Sequence, residues 1–97
     1  MIKRHHSIAP MHPGELLKVD VLPNLEISTS EFARRLGLSR QMVYDILNEK
    51  KPVSAETAVK LGALLGGDGR IWLNLQRAYD FWKAEQEVDV SNIQSVA

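Results

Sequence analysis

No cysteine occurs in the 97 residues, which excludes a disulfide scaffold, thiolate zinc ligands and a cysteine nucleophile. Long apolar runs are missing as well. None approaches the roughly 18–20 residues a membrane span needs, and residues 1–12 lack the apolar stretch of a secretory signal. Net charge is absent too: twelve basic side chains meet twelve acidic ones, for a formal charge of zero at pH 7, so no overall field advertises a polyanionic partner. Aromatics make up only 6% of the chain, and prolines number four. What remains is 44% apolar and 25% charged, ordinary for one small globular domain. The expectation is a cytoplasmic protein with no membrane association, of a size at which oligomerisation commonly supplements a thin core.

The charge balance conceals an asymmetry. From Arg34 to Lys51, five basic residues (Arg34, Arg35, Arg40, Lys50, Lys51) face only Asp45 and Glu49, a net of +3. From Ala78 to Ala97, Lys83 faces Asp80, Glu85, Glu87 and Asp89, a net of −3. The centre of the chain is basic and its end is acidic.

Strand-like alternation is absent except at the ends, and the pattern is that of an all-α domain of five helices. Residues 1–11 read as an extended arm, 12–87 as the domain and 88–97 as a tail, with a short strand through Val88-Asp89-Val90 as the alternative. The first helix starts at His12-Pro13-Gly14-Glu15, buries Leu16, Leu17 and Val21, and is expected to end before Pro23, which cannot continue it. The second opens at Ser28-Thr29-Ser30-Glu31, where serine and a glutamate three residues later form a capping box. Its apolar stripe is Phe32, Ala33 and Leu36, and Gly37 permits the positive φ at which it stops. Ser39 caps a third helix running to about Asn48, with Val43, Ile46 and Leu47 inward. After the Lys50-Lys51-Pro52-Val53 loop, Ser54 caps a fourth helix that Gly66-Gly67 ends. Asp68 caps the fifth, about 70–87, whose apolar positions are Ile71, Trp72, Leu75, Ala78, Tyr79 and Trp82.

The second and third helices have the spacing of a helix-turn-helix. Ala33 is small where two helices cross closely, Gly37 makes a turn that a Cβ obstructs, and Val43 and Ile46 pin the third helix on the second. With those residues inward, the outer stripe holds Arg40, Gln41, Tyr44 and Asn48. Arginine can fork onto guanine O6 and N7, and glutamine onto adenine N6 and N7. Thr29 and Ser30 at one helix start and Ser39 at the other aim backbone N–H groups at phosphates, and Lys50 and Lys51 follow where a duplex backbone runs. These nine residues are the expected DNA contacts.

His12-Pro13-Gly14-Glu15, Leu36-Gly37-Leu38-Ser39-Arg40, Ile71-Trp72-Leu73-Asn74-Leu75-Gln76 and Tyr79-Asp80-Phe81-Trp82-Lys83 together resemble the HigA-type antitoxins. These belong to the Xre (lambda-repressor-like) helix-turn-helix family and include virulence-associated protein I. The resemblance covers about residues 8–87. It implies a five-helix lambda-repressor-like fold, a homodimer on an inverted-repeat operator, repression of the protein's own operon, and neutralisation of a RelE-like mRNA-cleaving toxin. Relatives often carry Asn-Gly after the reading helix, where this chain has Asn48-Glu49. Gly66-Gly67-Asp68-Gly69 is richer in glycine than the family's usual turn, which implies a looser attachment of the fifth helix.

The fifth helix holds four of the aromatics, and a palindromic operator demands two-fold symmetry. Trp72 is assigned to the core, while Leu75, Tyr79 and Trp82 are the candidate dimer contacts. His5, His6 and His12 read as solvent-exposed histidines rather than a metal site, and no metal or cofactor is expected. No nucleophile, phosphate-loop or paired-carboxylate motif appears, so the expectation is a protein that is not an enzyme. The acidic end, or the Lys3-Arg4 arm, is available to a basic toxin. A solitary regulator of the same fold, or an adaptor that binds only proteins, remains as an alternative.

Overall fold

A computed structural model describes residues 9–97, so most of the expected arm, with Lys3, Arg4, His5 and His6, lies outside the described residues. Helix α1 is compound: an α-turn Pro13–Leu16, a π-helical turn Leu17–Val21 and a closing α-turn Leu22–Leu25. Four regular helices follow, α2 (Thr29–Leu36), α3 (Arg40–Leu47), α4 (Ala55–Leu65) and α5 (Arg70–Glu87). No strand is present among the described residues.

Helix α1 passes through Pro23 instead of stopping before it. In the π turn the Leu22 N–H bonds the Leu17 carbonyl five residues back, so the ladder has already slipped by one residue when Pro23 arrives with no N–H to give. The helix ends at Glu26, which takes a left-handed φ of 58° and donates its N–H to the Leu22 carbonyl. At the other end Pro13 occupies the start of the helix as expected, but His12 is not solvent-exposed. It is 3% exposed, and its Nδ1 accepts the Gly14 N–H at 2.9 Å, doing the work usually given to a serine or aspartate cap. The Tyr79 ring of α5 meets His12 edge-on at 4.9 Å.

The capping serines are where the sequence places them. Ser28, Ser39 and Ser54 each accept the N–H three residues on, at 3.0, 3.0 and 3.1 Å. The box at Ser28 is only half made, however. Glu31 does not reach back, because Arg34 and Arg35 hold its carboxylate, Arg34 Nε at 3.0 Å and Arg35 Nε at 2.7 Å. With a further bond from Arg34 Nη2, three charge-assisted bonds from the next turn outcompete one backbone N–H. Those arginines push the Glu31 carboxyl down to about 2. Gly37 closes α2 at φ 74°, giving its N–H to the Arg34 carbonyl while Leu38 bonds that of Ala33.

Phe32, Ala33 and Leu36 of α2 and Val43, Ile46 and Leu47 of α3 form one buried cluster with Leu17, Val53, Ala58, Leu61 and Trp72. Gly14 lets α1 lie directly on α3: a Cβ there falls on the Ile46 carbonyl oxygen. In the glycine-rich turn before α5, a Cβ on Gly66 or Gly67 meets nothing within 4 Å, and the close approach is made at Gly69. Gly69 packs against the Ala58 carbonyl, and a Cβ on Gly62 approaches the Gly69 backbone to 2.8 Å, so the glycines bring α4 and α5 together. Gly69 takes the cap position, and Asp68 contributes from one residue earlier by accepting the Arg70 N–H at 2.9 Å. Gln76, which the apolar pattern skipped, is 4% exposed. Its Oε1 accepts the Val53 N–H at 2.8 Å and its Nε2 donates to Asp80 at 2.9 Å.

Beyond α5 the tail makes a turn in which Asp89 accepts the Ser91 N–H at 2.9 Å and the Ile93 N–H reaches Val90 at 3.0 Å. Val88-Asp89-Val90 pairs with no strand among the described residues. No helix among the described residues is long and apolar enough to cross a membrane.

Three outcomes are expected from this framework. Gly14→Ala lowers stability by about 1–3 kcal/mol through the clash with Ile46, read as a lower urea midpoint. Glu49 holds a left-handed φ of 63°, so Glu49→Gly raises stability by about 0.5–1 kcal/mol, the left-handed penalty less the entropy glycine adds. His12 titrates below its ordinary 6.5, chiefly because burial disfavours the cation, with Glu49 and Asp80 pulling it up and Lys83 pushing it down. The unfolded chain therefore takes the proton first. The stability His12 confers is whole above about pH 6.5 and is lost as pH falls through the lower folded value. His12→Asn keeps an acceptor for Gly14 without titrating in this range, so urea midpoints between pH 7.5 and 5 should fall further for the wild type than for the variant.

Candidate nucleic-acid interface

Helix α3 has two unlike faces. Val43, Ile46 and Leu47 are buried, whereas Arg40, Gln41, Tyr44 and the capping residue Asn48 are exposed, Tyr44 by 46%. The outer stripe predicted from spacing is therefore present as one continuous face. At its start, Arg40 Nη1 lies 3.5 Å from Ser30 Oγ, which brings the beginnings of α2 and α3 side by side. Ser30 and Ser39 are both exposed there, while Thr29 is half-buried.

At the other end of α3, Thr29, Tyr44 and Asn48 line a shallow cleft with Lys18, Leu22, Pro23 and Ile27. Lys18 was missed by sequence reasoning. Its Nζ lies 3.4 Å from Asn48 Oδ1, thirty residues away in the chain, so a cation from α1 joins the end of the exposed stripe. The only local hint was a lysine facing away from Leu17 and Val21. Nothing in the spacing says which neighbour that side of α1 meets.

Lys50 and Lys51 follow α3 in a turn built on Asp45, whose carbonyl accepts the N–H of Lys50 at 2.7 Å and of Lys51 at 3.2 Å. The Asp45 carboxylate accepts from Gln41 Nε2 at 2.9 Å and lies 3.9 Å from Lys51 Nζ. Lys50 is exposed. The basic excess counted from Arg34 to Lys51 is less concentrated than its sum suggests. Arg34 and Arg35 are tied to Glu31, and Arg35 shares a hollow with Leu25, Ile27, Leu64 and Leu65.

The candidate dimer residues of α5 divide. Leu75 is half-buried against the core, and Tyr79 is half-buried against His12. Trp82 packs on Tyr79 at 6.0 Å, and its indole N–H is buried with no hydrogen-bond partner among the described residues. The large apolar side chains left open on this helix are Ile71 and Phe81, 57% and 67% exposed. The sequence pattern counted Ile71 with the inward residues and passed over Phe81.

Residues 24–72 match the helix-turn-helix family. Over 88 residues the chain is 37% identical to virulence-associated protein I of Dichelobacter nodosus, covering 91% of this chain and 82% of that protein. Antitoxin HigA-1 of Vibrio cholerae is 37% identical over 73 residues, 75% of this chain and 69% of its own length. Among solved structures, antitoxin GraA in complex with its operator superposes with a TM-score of 0.82 at 32% identity, covering 100% of this chain and 99% of that one. The chain belongs to the Xre-like helix-turn-helix family of the HigA antitoxins.

Proposed function

We propose that this chain is a sequence-specific repressor that binds an inverted-repeat operator as a homodimer in the cytoplasm, and that it is the antitoxin of a RelE-like mRNA-cleaving toxin. The observation that carries the DNA-binding part is the exposed Arg40–Gln41–Tyr44–Asn48 face on a helix whose other side is fully buried. A helix held that way enters a major groove as a rigid body. Arg40 and Gln41 then read base edges, Tyr44 meets a thymine methyl or a phosphate, and Thr29, Ser30 and Ser39 present hydroxyls and helix-start N–H groups to the backbone. Lys18 and Lys50 extend the phosphate contacts to either side of Asn48, with Lys51 beside them. GraA, which matches this chain end to end, is itself described with its operator bound, which supports the same docking here.

The dimer part rests on α5. Trp82, Tyr79 and Leu75 lie along its side, and Ile71 and Phe81 leave apolar surface that a second copy would cover. Two copies then hold their reading helices about 34 Å apart, one turn of the duplex. The toxin part rests on kinship with the HigA antitoxins. The acidic stretch from Asp80 to Asp89 offers complementary charge to a basic RNA-cleaving partner.

Fluorescence anisotropy against the protein's own upstream DNA and a scrambled duplex, at two salt concentrations, tests the reading. A salt-dependent preference for the upstream DNA is expected; equal binding to both duplexes at both salts refutes it. Arg40→Ala is expected to lose about 1–3 kcal/mol on the preferred duplex and little on the scrambled one. Lys18→Ala and Lys50→Ala should weaken both duplexes alike and flatten the salt dependence. An equal loss on both duplexes for Arg40→Ala removes that residue from base reading.

A further inference from the structure

Gln41 does not stand alone on the exposed face. Its Nε2 donates to Asp45 Oδ1 at 2.9 Å, one helical turn on. An ionised carboxylate can only accept, so the amide atom turned toward Asp45 has to be the nitrogen, and the orientation of the amide is settled by chemistry. One of its two N–H groups is used, leaving an acceptor, Oε1, and a single donor. Adenine is the base whose major-groove edge sets a donor and an acceptor side by side, N6–H and N7. Guanine shows two acceptors there, cytosine a donor, and thymine an acceptor beside a methyl group. A glutamine free to turn over its amide and offer both N–H groups would accept guanine as well.

Asp45 is itself well held. Its side chain is only 18% exposed, its other oxygen faces Lys51 Nζ at 3.9 Å, and its carbonyl anchors the Lys50 and Lys51 N–H groups. We propose that Asp45 is a positioning residue that sets base preference: it fixes the Gln41 amide so that adenine is selected over guanine at the base pair Gln41 meets. The inference rests on the groove-reading role of α3 proposed above.

Selection from a randomised double-stranded DNA pool, followed by sequencing of the bound fraction, tests it without knowledge of the operator. Gln41→Ala identifies the Gln41 base pair as the one whose preference it erases. There the wild type is expected to favour adenine over guanine by about tenfold or more, and Asp45→Ala to bring the two within about threefold while leaving other positions unchanged. Asp45→Glu keeps an acceptor-only carboxylate one turn from Gln41 and should keep the adenine preference, whereas an asparagine there could donate as well as accept and would no longer fix the amide. In a Gln41→Ala background, Asp45→Ala should leave base preference unchanged. Melting curves run alongside each variant establish that the folded protein is being read.

Three results overturn the inference: an adenine preference that survives Asp45→Ala, a preference lost equally in Asp45→Glu, or an Asp45 effect that persists without Gln41. A wild-type pool with no sequence enrichment overturns the groove-reading role itself, so the two failures are told apart.

Discussion

A helix of eight residues is too short to hold itself in water, and α3 is one. Its outer face has a fixed direction only because its inner face has nowhere else to go. Val43, Ile46 and Leu47 are buried in the core cluster where α1 and α2 pack on α3, and Gly14 lets the α1 backbone press on the Ile46 carbonyl. Packing at that density transmits small volume changes, so the aim of Arg40 and Gln41 is a property of the core as much as of the surface. The Gly37 turn adds the remaining constraint by setting where α3 starts relative to α2.

Much of this was legible from local rules. Three serines accept the N–H three residues on, Gly37 takes the left-handed conformation its place in the pattern required, and the apolar positions of α2 and α3 are the buried ones. Each of those features depends on residues within a turn of one another. What was misread depends on distant ones. His12 is buried because α5 brings Tyr79 to it, and Lys18 reaches the end of α3 because α1 folds back across thirty residues. Gln76 is buried because the loop at Val53 presents an N–H that needs an acceptor. The course through Pro23 is a different kind of miss: the rule about proline is right, but a π turn had already displaced the bond that proline would break.

Charge reading shows the same boundary. A local excess of basic residues is a sum, whereas a binding surface is made of directions. Glu31 lies just outside the basic window and neutralises two of its members with bonds one turn long. Held near 2, that carboxyl stays ionised throughout the physiological range. Lys18 lies outside the same window and adds a cation where the exposed face ends. The chain thus arranges its field by pairing and placement, with a net charge of zero.

Gln76 carries a consequence for geometry on a larger scale. One end of its amide holds the loop that follows the reading helix, and the other is fastened within α5, so the two are joined by a buried strut of nearly fixed length. In the dimer proposed through α5, that strut would act as part of a ruler laid along the duplex. Each half of that dimer would then report its distance from the two-fold axis through a rigid link rather than a flexible tether. Such a ruler tolerates little change in the gap between half-sites, because one inserted base pair both lengthens that gap and turns the second groove away from the helix meant to enter it.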